Sequence, residues 1–467
     1  MRHLLIFLPG IMGSALQKDG RDIWALSGQA LWQYLRTMRT VGESLQLLRI
    51  IDDDWEQDDL GDGISAVRLI EDLHSIPGLV EHAGYSVIAK RLAEYFDVTE
   101  GTVHAPREDA NFFTFPYDWR RDNRASARKL QRFINQQLPR WRNWSGADDA
   151  QVILIAHSMG GLVSRYYLEA LSGWRNCRAL ITVGTPHRGS LGVLDTLSNG
   201  IKKHFLDLSS VVRSFTSIYQ LLPTYPVIEI NNTYARVAEI DAITNIDRRR
   251  AEKARTQFHE VIRLAALQNR ADPAYRQRTI PWVGTRQDTL QSALLSEDKL
   301  VLRYFPPPGI DTTLADGDGT VPRVSAVPPD IDGHGFERFA VERHGWLMNN
   351  DMTLEPLLDT LTQIVASGTQ NLHGEPQKTG AAINLRLESL YSPDDPVLIG
   401  VRLINVVEQT QMLALRIEPV GHQAIGIART IQASSSDTTT VALDGLTPGL
   451  YRLTIGPQLL TSRTLAP

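Results

Sequence analysis

Six short, uninterrupted apolar runs constrain the fold of this chain more than any other feature. They are HLLIFL (3–8), NFFTF (111–115), QVILIA (151–156), ALITVG (179–184), TIPWVG (279–284) and RFAVE (338–342). A strand with one wet face alternates apolar and polar residues. A run without alternation suits a parallel strand buried on both faces. Helical patterns fill the intervals, such as Leu162, Tyr166 and Leu168 to Leu171. This alternation predicts an α/β fold with a parallel sheet over residues 1 to about 366.

The pattern changes after that. SGTQNLHGEPQKTG (367–380) is polar, with Gly and Pro, and reads as a linker. Beyond it the period becomes two: Ile383, Leu385 and Leu387, then Val401 and Leu403, then Leu413, Leu415 and Ile417, then Leu450, Leu453 and Ile455. Antiparallel strands with one wet face follow, so residues 381–467 are expected to form a small immunoglobulin-like β-sandwich. Within the α/β part, Leu194, Leu197, Ile201, Phe205, Leu208, Val212, Phe215 and Leu222 make one apolar stripe on one or two helices. That stripe either packs on the sheet or forms part of a lid. The segment 246–270 is a further helix, basic at its start, read as a solvated face.

Composition removes several classes of function. A length of 467 residues suggests two or three domains. A net charge of -5 argues against binding nucleic acid through phosphates. The one cysteine, Cys177, excludes an intrachain disulfide and fits a reducing cytosol. No run reaches the roughly 18 apolar residues of a membrane span. MRHLLIFLPGIMGS begins with a charge and an apolar stretch, but Pro9 and Gly10 end it too early for a signal peptide. It reads as a buried strand, and the expected location is cytoplasmic, with peripheral contact at the inner membrane.

The chemistry starts at LIAHSMGG (154–161). A serine hydroxyl is a weak nucleophile at neutral pH; it needs a base and donors for an oxyanion. A tight strand-to-helix turn lifts such a serine off a sheet edge and needs small flanking residues, hence G-x-S-x-G. Here Ala156 replaces the first glycine and Gly160 is the second. The strand-like run before it and the helical pattern after it mark Ser158 as the nucleophile; a helix N-cap is the plainer reading. The acid and base are expected later in the chain. LADGDGTVP (314–322) supplies Asp318, with Asp316 as rival, and an Asx-turn would explain either. ERHGWLMNN (342–350) supplies His344, with His334 as rival. Oxyanion donors are expected from the backbone of Met159 and from Ile11 in LPGIMGS (8–14). No metal or other cofactor is expected. DDDWEQDDLGD (52–62) is acidic but lacks the order of an EF-hand loop.

LPGIMGS, FPYDWRRD (115–122), AHSMGG, GTPHRGS (184–190), YQLLPTYPV (219–227), GDGTVP (317–322) and ERHGW together resemble the lecithin:cholesterol acyltransferase family of α/β-hydrolases, which includes lysosomal phospholipase A2 and phospholipid:diacylglycerol acyltransferases. The resemblance covers residues 1 to about 360. It implies an α/β-hydrolase fold, a triad of Ser158, Asp318 and His344, and oxyanion donors Ile11 and Met159. It further implies cap segments near 20–80 and 190–275, and a structural pair between Asp118 and Arg120. The chain departs from the secreted members, which have signal peptides and a disulfide-tied lid, and its β-domain has no counterpart in the members named. The implied activity is hydrolysis of phospholipids or related lipid esters at a membrane surface, or acyl transfer by the same residues. Two other readings remain. One is a membrane-degrading effector released by a protein partner through the β-domain. The other is a silent scaffold whose β-domain binds a partner.

Overall fold

The computed structural model describes residues 1–25, 46–70, 74–76, 80–82, 84–200, 202–203, 206–241, 243–296, 299–331, 336–369, 382–386, 396–404, 406, 410–420, 426–443, 446 and 450–457. They divide into two compact units, one within Met1–Gln377 and one within Lys378–Pro467. The expected linker falls almost wholly outside the described residues.

Seven parallel strands build the first unit: β1 (Leu4–Leu8), β2 (Glu100–Thr102), β3 (Phe112–Thr114), β4 (Val152–His157), β5 (Cys177–Val183), β6 (Thr279–Gly284) and β7 (Arg338–Ala340). Their order is β7-β6-β5-β4-β1-β3-β2. The first strand of the chain is thus central, with Leu5 paired to Phe112 on one side and to Ile153 on the other.

Continuous apolar runs are what this position requires. Leu4, Ile6 and Leu8 join Leu154 and Leu180 in a core on one face of the sheet. Leu5 and Phe7 join Ile153, Ile155 and Ile181 in a core on the other. Helix α2 (Asn123–Ser145) covers the first face with Leu130, Phe133, Ile134 and Leu138, beside α3 (Met159–Arg165) with Leu162 and Val163. Helices α1 (Ser86–Tyr95) and α4 (Asp351–Ser367) cover the second with Ile88, Leu92, Leu354, Leu358 and Leu361. The caps of α2 show why it starts and stops where it does. The Asp122 side chain accepts from the Arg124 N–H, and Gly146 ends the helix at φ 68°.

The apolar stripe differs from the one or two helices expected. It is cut into three short helices, Leu191–Asn199, Ser209–Val212 and Thr216–Tyr219. Leu194, Leu197, Leu208, Val212, Phe215 and Leu222 are all buried in the first core, so these residues pack inward; Ile201 and Phe205 lie outside the described residues. At the basic start of 246–270, Arg248 and Arg249 are exposed, as a solvated face requires, and Arg248 pairs with Asp241 at the surface; the Arg250 guanidinium instead donates to the carbonyls of Arg213, Ser214 and Phe215.

The second unit holds two antiparallel sheets of three strands. Ala382–Arg386, Val397–Ile404 and Thr439–Leu443 form one; Ile427–Ser434, Thr410–Val420 and Leu450–Pro457 form the other. Ile399, Val401 and Leu403 of the first share one core with Leu413, Leu415 and Ile417 of the second. Period two in the sequence therefore corresponds to a sandwich with one buried face per sheet.

Candidate active site

Strand β4 ends at His157 and helix α3 begins at Met159, so a single residue, Ser158, makes the turn. Its backbone lies at φ 50° and ψ -126°, a region that non-glycine residues avoid and that costs about 1–3 kcal/mol. The surroundings hold it there. The Ser158 N–H donates to the Val183 carbonyl at 2.9 Å. A Cβ on Gly160 would run into the carbonyl oxygens of Pro9 and Leu8, and one on Gly161 into the Thr185 side chain. The two glycines therefore let α3 start hard against the turn after β1 and against the GTPHRGS loop.

Two other segments come to this point from the C-terminal ends of neighbouring strands, where open α/β sheets place their ligand crevices. The loops after β6 carry Asp318. The segment after β7 carries His344, in a single 3-10 turn. The Ser158 Oγ lies 3.0 Å from His344 Nε2, and His344 Nδ1 lies 2.7 Å from Asp318 Oδ2. The other carboxylate oxygen of Asp318 accepts the N–H groups of Thr320 (3.0 Å) and Val321 (2.7 Å). The His344 N–H donates to the Asp318 carbonyl at 2.8 Å, closing the two segments on each other. All three side chains are buried. In such an array a hydroxyl can pass its proton to an imidazole whose far nitrogen is held by a carboxylate.

Asp316 points elsewhere. Its carboxylate accepts the Arg286 N–H at 2.9 Å and stands 3.9 Å from the Arg323 guanidinium, and burial raises its carboxyl above the ordinary value. His334 lies outside the described residues. Ile11 sits in the turn after β1, where the Gly13 N–H donates to the Gly10 carbonyl, and Met159 is the first residue of α3.

The other motifs brace the site. Ser190, at the end of GTPHRGS, caps the helix Leu191–Asn199 and donates its hydroxyl to the Thr320 carbonyl at 2.6 Å. This ties that helix to the Asp318 loop. Arg120 is fully buried and forms a two-armed pair with Asp118, at 2.9 and 2.6 Å, plus a bond to Asp62 at 3.0 Å. The acidic run 52–62 is thereby explained: Asp62 meets Arg120, Asp53 meets Arg121 and Asp58 meets Arg132. It is the counter-charge of the FPYDWRRD stretch and of α2. Among the described residues no group of three or more His, Cys, Asp or Glu is placed to hold a metal, and no helix is long and apolar enough to cross a membrane.

Sequence reasoning missed two residues. Tyr85 and His157 form a buried chain to His344: the Tyr85 hydroxyl is 2.9 Å from His157 Nδ1, and His157 Nε2 is 3.1 Å from the His344 carbonyl oxygen. His157 stood in plain view beside Ser158, but nothing in the local pattern says which way its ring turns.

The sheet order, and a strained serine between strand and helix with Asp318 and His344 brought to it from later in the chain, are those of an α/β-hydrolase fold. Within that class the chain is similar to lecithin:cholesterol acyltransferase, the family whose sequence model matches residues 76–269. No curated protein matches the sequence. Among solved structures, the lipase BlEst2 of Bacillus licheniformis in its propeptide form is similar at 13% identity and a TM-score of 0.32, covering 94% of this chain and 70% of that one. Phospholipase PlaB of Legionella pneumophila is similar at 10% identity and a TM-score of 0.20, covering 72% and 70%. Likenesses this weak add no weight to the sheet order.

Proposed function

We propose that this chain is a serine-dependent lipid ester hydrolase that works through an acyl-serine. The observation that carries the reading is the 3.0 Å approach of His344 Nε2 to the Oγ of a serine held at φ 50°. Ser158 attacks the ester carbonyl carbon while His344 takes the hydroxyl proton. Asp318 holds the imidazole with Nδ1–H toward the carboxylate. The N–H groups of Ile11 and Met159 receive the oxyanion, each donor contributing about 3 kcal/mol to the transition state. The tetrahedral adduct collapses, His344 passes its proton to the leaving alcohol oxygen, and the acyl group stays on Ser158. Water then attacks the acyl carbon, His344 takes its proton and passes it to the Ser158 oxygen as the acyl bond breaks, and fatty acid leaves.

The family match supports an enzyme of lipid esters in general. An exposed apolar ring beside His344 supports action at a lipid surface: Trp346, two residues on, is 43% exposed. A second reading is favoured by the acyltransferase description of the matching family: a lipid alcohol instead of water takes the acyl group from Ser158. One experiment tests both. Mixed phospholipid vesicles, with and without a long-chain alcohol, are incubated with the protein and with Ser158→Ala, and products are read by mass spectrometry. Free fatty acid lost in the variant is the expected result; acyl alcohol in its place selects transfer. Products that persist in Ser158→Ala refute the mechanism.

A further inference from the structure

We infer that Tyr85 and His157 are positioning residues that lock the oxyanion loop and the base-bearing segment into one register. This rests on the reading of Ser158, His344 and Ile11 given above. The chain of bonds starts at Gly10, the neighbour of Ile11, whose N–H donates to the Tyr85 hydroxyl oxygen at 2.8 Å. The Tyr85 oxygen stands 2.9 Å from His157 Nδ1, and His157 Nε2 stands 3.1 Å from the carbonyl oxygen of His344. All of these contacts are buried.

Donor and acceptor counting gives the chain one direction for a neutral ring. Burial pushes the Tyr85 phenol up, so it keeps its proton. Its oxygen already accepts from Gly10, and its one hydrogen goes to His157 Nδ1. A neutral imidazole that accepts at Nδ1 carries its hydrogen at Nε2, and Nε2 faces a carbonyl oxygen. The opposite tautomer would set a lone pair against that carbonyl. Gly10 N–H, Tyr85 O–H and His157 N–H therefore point in sequence toward His344.

The geometry places the two ends of this chain where catalysis needs them. One end fixes the peptide preceding the Ile11 donor. The other holds the carbonyl of His344, whose N–H is already held by Asp318 at 2.8 Å. The backbone of residue 344 is thus gripped from both sides, and its ring has little freedom to swing away from Ser158. Packing supports the clamp. The Tyr85 and Phe7 rings lie 5.2 Å apart, the His157 and His344 rings 4.9 Å, and a Cβ on Gly13 would meet the Tyr85 ring at 2.6 Å. Neither Tyr85 nor His157 bonds Ser158 Oγ, so their effect passes through backbone.

The test uses the full chain, a p-nitrophenyl butyrate assay, and fluorophosphonate labelling of Ser158. The variants are Tyr85→Phe, His157→Gln, His157→Phe and the double Tyr85→Phe/His157→Phe. The expected result for Tyr85→Phe is a kcat lower by about tenfold to a hundredfold, with KM within about twofold and labelling slowed in step. Gln keeps a donor for the His344 carbonyl, so His157→Gln outperforms His157→Phe. Because the two residues act as one chain, the double variant is no slower than His157→Phe alone. Wild-type kcat in Tyr85→Phe, an effect on KM only, or losses that multiply in the double variant would overturn the inference. If His157→Phe fails to fold, Tyr85→Phe, which removes one oxygen and keeps the ring, still decides it. Ser158→Ala separates the two levels. Turnover that survives in Ser158→Ala sinks the functional reading and this inference with it. Turnover that vanishes there but is untouched in Tyr85→Phe sinks only the clamp.

Discussion

Replacing Asp318 by asparagine removes a charge without changing shape, and the structure says which way the amide will face. One carboxylate oxygen accepts two backbone N–H groups, from Thr320 and Val321, and the other meets His344 Nδ1. The amide oxygen must stay with the pair of N–H donors. Turning it would set NH2 against both, and each buried bond lost costs about 1–3 kcal/mol, so about 2–6 kcal/mol together. The NH2 group is then left facing His344 Nδ1, which becomes an acceptor. The imidazole hydrogen moves to Nε2, and Nε2 can no longer take the proton of Ser158. The expected fall in kcat is about 10⁴-fold, equivalent to about 5.5 kcal/mol. Short-chain ester turnover by Asp318→Asn and Asp318→Ala measures it, and the ¹⁵N shifts of His344 report the tautomer. The shape-matched Asn should be no better than Ala. An Asn variant within tenfold of wild type, or one far better than Ala, would refute the reasoning.

Three further outcomes are expected. Arg120→Ala removes a fully buried guanidinium and leaves the partly buried Asp118 carboxylate without its partner, and should cost about 3–5 kcal/mol in chemical denaturation, with Arg120→Lys a poor rescue because one ammonium cannot replace the two-armed contact. Gly160→Ala pushes a methyl into the Pro9 and Leu8 carbonyls; a loss of about 1–3 kcal/mol and a lower kcat should appear together, because the displaced turn carries Ile11. His187 is held well below the ordinary imidazole range, first by burial and then by the charge of Arg165. Its unfolded form therefore binds a proton first as pH falls below about 6.5, so its contribution to stability is present above that pH and lost below it. The melting temperature should drop less between pH 7 and 5 in His187→Gln than in wild type, and parallel curves would contradict this.

The sheet was readable because burial on both faces removes the polar half of the usual alternation, and each of the six runs is a strand. The seventh, Glu100–Thr102, was invisible: an edge strand of three residues needs no apolar run. The apolar stripe announced burial but not its segmentation, since Gly200 and the short strand pair Lys202–Lys203 and Leu206–Asp207 break the helix without breaking the spacing. At the site, Ser158 was legible from its motif because the turn itself dictates small neighbours. Asp318 was preferred over its rival Asp316 on local sequence alone, because both sit in one glycine-rich loop and only the packed geometry shows which one turns toward His344. Tyr85 gave no signal at all. Its role depends on a contact with His157 across 72 residues of chain.

The central place of β1 bears on how the protein is made. Its five apolar residues are synthesised long before their partners, since β3 and β4 follow only at residues 112 and 152. Such distant pairing slows folding and leaves a sticky segment waiting. The same order delays the chemistry. His344 reaches Ser158 only after 186 further residues have been synthesised, so a nascent chain carries its serine through that whole stretch without its imidazole neighbour.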